Sequence, residues 1–300
     1  MKRILVTGAT GFIGRHCLDP LEKKGYEIHA VSSRSILEDG KKNIFWYQVD
    51  LMNFLQVEDL ITKVRPSHLL HLAWYTVPGK YWTSLENLKW VQASINLLKT
   101  FGENGGQRVL IAGTCAEYDW RYGYCSETIT PLAPKSLYGI CKHSLQLIVS
   151  AFAKQTGISA AWGRIFFTFG PHEHPDRIFP YVILSLLKNQ VAHCTDGKQV
   201  RDFLYVEDVA EALVEILDSS LSGPINIASG NPIRLRDLIY KIAEKLKKED
   251  LVKFGSIATP QDEPPFIVGD IHRLKNELGW KPKYDLEKAI EKTIEWWKNR

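Results

Sequence analysis

The 300-residue sequence has no pair of cysteines at C-x-x-C spacing, and its five cysteines, Cys17, Cys115, Cys125, Cys141 and Cys194, are scattered and odd in number. The expectation is free thiols in a reducing compartment rather than a disulfide framework or a zinc site. No apolar run approaches the ~20 residues of a membrane span. Residues 1–8 already read as a strand and a turn, so no signal peptide is expected and the chain is assigned to the cytoplasm, away from membranes. Excess charge of one sign is also missing. A formal net charge of +4 is mild; it suits an anionic small ligand and, with no basic stripe interleaved with aromatics, gives no reason to expect nucleic acid. No metal is expected: His172-Glu173-His174 lies between Pro171 and Pro175 without a further ligand cluster and reads as a solvated loop. No repeat, low-complexity tract or clean linker interrupts the chain. Apolar residues at 45% and charged ones at 24% leave room for a large core of ordinary globular composition.

What is present is an alternation. Short apolar runs at Arg3–Val6, Glu27–Val31, Ile44–Val49, Leu69–Leu72, Arg108–Ala112 and Ser159–Phe166 read as strands. Segments of helical spacing lie between them over Phe12–Lys24, Phe54–Val64, Ser84–Asn104 and Ser136–Lys154. Alternating strands and helices predict an α/β chain with a Rossmann-type, doubly wound parallel sheet. Beyond about Gly170 prolines become frequent, and helices are predicted over Phe179–Lys188, Glu207–Leu217, Leu235–Lys247 and Asp285–Trp297. The expected division is residues 1–170 as the dinucleotide-binding part and 171–300 as a smaller substrate-binding lobe, with 201–228 contributing elements back to the first.

The turn Gly8-x-x-Gly11-x-x-Gly14 follows a strand and opens a helix. Gly8 permits the tight turn, Gly11 lets backbone approach a pyrophosphate, and Gly14 lets the helix sit close to the sheet. The helix N-terminus then offers N–H groups to the anion. The tip of the second strand, Ser32-Ser33-Arg34, has no carboxylate to bond the ribose hydroxyls of NAD. Arg34 carries a planar cationic fork and the serines can donate, which favours the 2′-phosphate of NADP over NAD; an exposed arginine with no ligand is the competing reading. Asp50-Leu51, past the third strand, suits either the adenine pocket or an N-cap for the next helix. Trp74, Tyr75, Thr76 and Trp82 follow the fourth strand, where ligands enter such sheets, and are read as lining a sugar site or as local packing.

Tyr138 and Lys142 stand four apart, on one helix face, about 130 residues after the glycine turn. A free phenol, with a pKa near ~10, is a poor proton donor or acceptor at neutrality. An adjacent ammonium and an oxidised nicotinamide would move it toward working pH.

Taken together, these residues resemble the extended short-chain dehydrogenases/reductases of the nucleotide-sugar epimerase/dehydratase type. The similarity runs nearly end to end: the glycine turn, Asp50-Leu51, His71-Leu72-Ala73, Gly113-Thr114 with Tyr118, Tyr138-x-x-x-Lys142, Arg164, Gly170-Pro171, Arg201 to Val209, Ile225-Asn226-Ile227 and Leu278-Gly279-Trp280. The resemblance implies a catalytic trio of Thr114, Tyr138 and Lys142. It implies a cofactor site of Gly8, Thr10, Gly11, Phe12, Ile13, Gly14, Ser32, Ser33, Arg34, Asp50, Leu51, Leu72 and Ala73, with Tyr138 and Lys142 beside the nicotinamide. Substrate contacts would come from Trp74, Thr76 and Arg201, the last on the nucleotide-sugar phosphates unless a neighbouring acid claims it. A homodimer through the two long helices is implied as well. The family's 4,6-dehydratases carry Asp-Glu after the threonine, where this chain has Cys115-Ala116. The reductases that also epimerise C3 and C5 carry a cysteine where Ala116 stands. Phe167 replaces an asparagine that touches the diphosphate, and Thr168 beside it is a candidate substitute. These departures point to an NADPH-dependent 4-ketoreductase acting on a nucleotide-linked 4-keto-6-deoxy sugar. A C4 epimerase with bound NAD, and a non-catalytic dinucleotide-sensing or RNA-binding module, are the alternatives.

Overall fold

A computed structural model describes residues 2–34 and 43–300. The first half of the chain runs β1 (Arg3–Thr7), α1 (Gly14–Lys23), β2 (Glu27–Ser32), β3 (Ile44–Gln48), α2 (Phe54–Val64), β4 (His68–His71), α3 (Glu86–Glu103) and β5 (Arg108–Thr114), strands and helices alternating except between β2 and β3 among the described residues. A short strand β6 (Tyr124–Cys125) precedes α4 (Leu137–Thr156) and β7 (Ser159–Ile165). Then follow β8 (Phe167–Phe169), α5 (Ile178–Leu187), β9 (Ala192–His193), β10 (Val200–Tyr205), α6 (Val206–Asp218), β11 (Gly223–Ile227), β12 (Pro232–Arg234), α7 (Leu235–Leu246), β13 (Val252–Lys253), β14 (Phe266–Gly269) and α8 (Leu286–Lys298).

Seven strands form one parallel sheet in the order β11-β7-β5-β4-β1-β2-β3. The order reverses between β1 and β4, and a crevice at such a reversal, beyond the strands' C-terminal ends, is where ligands bind in open α/β sheets. The central strands are covered on both faces. Ile4, Val6 and Leu110 point into one core with α1 and α6, while Leu5, Val109 and Ile111 point into the other with α2, α3 and α4. That is why these strands read as unbroken apolar runs rather than alternating ones.

A second, mixed sheet of order β12-β10-β14-β6, with β8 beside β10, builds the smaller lobe together with α5, α7 and α8. No helix of the described residues is long and apolar enough to cross a membrane.

Helix α1 starts at Gly14 rather than Phe12, because residues 8–13 are used by the turn, closed by Gly11 N–H donating to the Gly8 carbonyl at 2.9 Å. Gly8 has φ +70°, the left-handed region open to glycine. A Cβ on Gly14 would lie 2.1 Å from the Gly8 carbonyl oxygen, so the helix reaches the turn only because that carbon is absent.

Candidate active site

Thr114 ends β5 and caps a single 3₁₀ turn over Cys115–Glu117. Its hydroxyl accepts from Ala116 N–H, while the Glu117 carboxylate turns back to accept from Thr114 N–H at 2.8 Å. This reciprocal cap fixes the threonine. Glu117 is fully buried. It also accepts from Trp162 Nε1 and Arg164 Nε, each at 2.8 Å. Arg164 continues to the Tyr118 hydroxyl at 3.0 Å, which donates to Asn226 Oδ1 at 2.7 Å. The signal for Glu117 in the sequence is the spacing Thr114-x-x-Glu117, a capping-box pattern.

Tyr138 stands in the first turn of α4, whose N-cap Ser136 accepts from Gly139 N–H. A Cβ on Gly139 would lie 2.5 Å from the Ala116 carbonyl, and this close approach brings Tyr138 against Thr114. The Thr114 hydroxyl lies near enough to act on the Tyr138 phenol. Tyr81 and Trp82 meet the Tyr138 ring edge-on at 4.9 and 5.7 Å, and Tyr138 N–H donates to the Trp82 carbonyl.

Lys142, one turn further on, donates to the Ala112 carbonyl at 2.9 Å and lies 3.7 Å from the centre of the Trp74 ring. Burial pulls its pKa down to about 7, against a smaller upward pull from Glu117. The protein's own groups do not shift Tyr138 toward neutrality. Burial, with Tyr81 and other neighbours adding, pushes the phenol above its ordinary value, and the Thr114 hydroxyl opposes that only in part. The Lys142 ammonium is committed to Ala112 and Trp74.

The cofactor cradle follows from the turn. Its glycines hold the backbone where a pyrophosphate would meet the start of α1, and the Phe12 and Ile13 amides serve no backbone carbonyl among the described residues. Thr10 and Ser32 hydroxyls lie 3.2 Å apart, and Ser32 Oγ accepts from Arg34 N–H, bringing the tip of β2 alongside the turn. Ser33 and Arg34, at the tip of β2, are exposed. These residues fit a nicotinamide dinucleotide. Thr7 Oγ1 and His71 Nδ1, 2.7 Å apart, tie the end of β1 to that of β4, so Leu72 and Ala73 run close against Gly8. Burial holds His71 neutral, its pKa down to about 3. Asp50 forms a tight turn with Met52 N–H, and Asn53 is the N-cap of α2; Leu51 is buried in the core.

On the substrate side the picture is mixed. Trp74 is buried, with Nε1 donating to Asn87 Oδ1 at 2.8 Å, and serves as the platform under Lys142. Thr76 is exposed. Arg201 is claimed by an acid: it donates to Glu263 and lies over the Phe167 ring at 5.4 Å. The Thr168 hydroxyl is buried with no partner among the described residues. Arg177, half-buried, lies over the Tyr81 ring at 5.5 Å. The segment His172–His174 is not the solvated loop expected. His172 is bonded to Arg15 and meets the Trp296 ring at a tilt, centroids 4.6 Å apart, and Glu173 is buried with its pKa pushed up to about 8 by that burial.

A parallel sheet with a glycine-rich first turn and a Thr114, Tyr138 and Lys142 trio at its C-terminal edge defines an extended short-chain dehydrogenase/reductase. The sequence profile of the NAD dependent epimerase/dehydratase family matches residues 4–228, and the chain belongs to that family. It is 32% identical over 316 residues to UDP-glucuronic acid decarboxylase 1 of Xenopus tropicalis, a match spanning 99% of this chain and 72% of that protein. It is 28% identical to CDP-abequose synthase of Salmonella typhimurium, covering 97% of each. Among solved structures, UDP-N-acetylglucosamine 4-epimerase from Methanobrevibacter ruminantium M1 superposes with a TM-score of 0.89 at 24% identity, over 99% of this chain and 98% of that one, which establishes the fold.

The buried lysine makes stability depend on pH. The unfolded chain binds a proton at Lys142 up to the ordinary lysine value, whereas the folded chain releases it near 7. The cost of burying it is full below pH 7, fades as pH rises and vanishes above the ordinary lysine pKa. Lys142→Met is expected to raise Tm by a few degrees at about pH 6 and by less at about pH 9.5. Thermal melts at the two pH values check this, and an equal gain at both would remove the assignment.

Proposed function

We propose that the protein reduces the 4-keto group of a nucleotide-linked 4-keto-6-deoxy sugar, with NADPH as the donor. The observation that carries this reading is the poverty of acid–base groups around the Thr114 and Tyr138 hydroxyls. Cys115 is buried and held as a neutral thiol, Ala116 has no chemistry, and the Glu117 carboxylate is occupied by three donors. Eliminating water from a sugar, or epimerising beside a ketone, calls for a further base there. Reduction of a carbonyl calls for one proton donor and one group to hold the oxygen.

Tyr138, kept protonated by burial, is suited to give its proton to the carbonyl oxygen as negative charge develops on it. Thr114 holds that oxygen through its hydroxyl. Lys142, with a pKa of about 7, exchanges protons easily at neutrality and is placed one helical turn from the phenol it would help to recharge. The bound nicotinamide supplies the hydride. Gly8, Gly11, Gly14 and the start of α1 would hold its pyrophosphate, with Ser32, Ser33 and Arg34 at the adenine ribose. The similarity to CDP-abequose synthase, nearly full-length in both chains, supports a nucleotide-sugar substrate.

The reading is tested by incubating the purified protein with NADPH and a panel of nucleotide-linked 4-keto sugars, followed by mass spectrometry. A two-hydrogen gain in one member is expected. Isomerisation without that gain, together with NAD released on denaturation, would replace it with the C4-epimerase reading. Tyr138→Phe should lower turnover by about 10²–10⁴-fold while NADPH still binds. Arg34→Ala should weaken NADPH by about tenfold and leave NADH nearly unchanged, because only the former carries a phosphate for the guanidinium; equal losses in a fluorescence titration would overturn the cofactor choice. We also propose a homodimer through α3 and α4, which leave Leu88, Ile140, Leu147 and Ile148 exposed. Light scattering showing a monomer at micromolar concentration would refute it.

A further inference from the structure

Arg201, on β10, is among the most buried cations of the molecule, its side chain 5% exposed. Its guanidinium donates to the Val200 carbonyl at 2.8 Å and to the Glu263 carboxylate, and it lies over Phe167. On one side Arg201 sits close enough to Cys115, the residue after Thr114, for its charge to act on that thiol. On the other, the strand leads back to Gln199, which lines a cavity of about 350 Å³ with Ile178, Tyr181, Cys194, Leu235 and Ile257. Gln199 Oε1 is buried there without a hydrogen-bond partner. The arginine is thus two residues along the chain from Gln199 of the chamber and near Cys115, the neighbour of Thr114. A nucleotide sugar laid along that line, base in the chamber and sugar at Tyr138, puts its diphosphate at Arg201.

The partner that Arg201 already has comes from a different kind of structure. Glu263 lies in the connection between β13 and β14, and residues 256–262 of that connection are mostly exposed. The segment is held at its two ends. Ile257 N–H donates to the Cys194 carbonyl at 3.2 Å, and the Pro265 carbonyl accepts from Val200 N–H at 2.8 Å. Between these, Thr259 donates to Asp196 at 3.2 Å, and Glu263 itself is 31% exposed. A guanidinium taken out of water needs a compensating anion, and leaving it alone is costly. Glu263 supplies that anion from a surface segment, in the place the substrate's diphosphate would take.

The geometry points to Glu263 as a tethered competitor for the diphosphate: it neutralises Arg201 until a ligand bearing phosphates displaces it. This rests on the reading that Arg201 meets the substrate phosphates. A carboxylate tethered by a short segment acts at high effective concentration. A ligand without phosphates gains nothing at Arg201 that Glu263 does not already provide. A diphosphate brings more charge and more acceptor oxygens than one carboxylate and wins the exchange. Glu263 thereby sets how strongly the site prefers phosphorylated ligands over bare nucleosides, and it frees the covering segment when the exchange occurs.

The test is calorimetric binding of UDP, CDP, GDP and dTDP, and of the nucleoside matching the tightest of them, to the full chain and to Glu263→Gln. Glutamine still accepts a hydrogen bond from Arg201 but carries no charge. The variant is expected to bind the diphosphate about tenfold more tightly, the scale of one displaced charge pair, and the nucleoside with unchanged affinity. Unchanged diphosphate affinity would overturn the proposal. So would weaker binding of both ligands, which would mean that Glu263 touches the nucleoside directly. Arg201→Gln separates the underlying reading: if it binds the diphosphate as well as the parent does, Arg201 is not the phosphate contact, whatever Glu263→Gln shows.

Discussion

The ion pair between Glu117 and Arg164 is the constraint on which the candidate site depends. Neither side chain is more than 1% exposed. A buried pair of this kind is a poor source of net stability, because both charges are stripped of water. Removing one partner is a different matter and costs about 3–5 kcal/mol, since the survivor is left uncompensated. What the pair provides is position. Through Glu117 it holds Thr114 at the end of β5. Through Trp162 and Arg164 it holds β7, and through Tyr118 and Asn226 it reaches β11. Three neighbouring strands of the sheet are thus pinned at their C-terminal ends by one carboxylate, where chemistry needs fixed atoms.

That carboxylate also shapes the electrostatics. It is the one nearby charge drawing Lys142 toward its protonated form, and it adds to the forces keeping Tyr138 neutral. Desolvation is nevertheless the largest influence at Tyr138, Lys142, Cys115 and His71 alike. A dry pocket favours the uncharged form of every group in it, phenol, amine, thiol and imidazole together. The groups facing the site are therefore mostly uncharged at rest, Lys142 being partly protonated at neutrality, and charge appearing on a substrate oxygen would meet little screening.

The parallel sheet was legible because buried strands such as Ile4-Leu5-Val6 and Val109-Leu110-Ile111 are continuous apolar runs separated by helices with clear stop signals. Helix α2 was readable to the residue, ending at Arg65 before Pro66. The second sheet was not legible: β6, β8 and β12 have two or three residues each, too few for any periodicity to register. At the site, spacing placed Tyr138 and Lys142 on one helix face but gave no account of where the ammonium points, which depends on Ala112 of β5 and Trp74 in the segment after β4. The Arg201 partner lay 62 residues away in sequence. No local pattern links two such residues, and only the pairing of β10 with β14 brings that segment over the arginine.

Strand β11 returns from the second half of the chain to the outer edge of the seven-stranded sheet, and α6 just before it covers α1. The two lobes are consequently not beads on a string. A chain ending near Gly170 would leave β7 as an open edge with unpaired amides and carbonyls, a template for pairing with other chains, and would strip the apolar face of α1. Asn226, the last link in the Glu117 network, would be missing as well. A nascent chain is thus a sticky, incomplete sheet until residue 227 has emerged from the ribosome, and recombination at the apparent lobe boundary would break the fold.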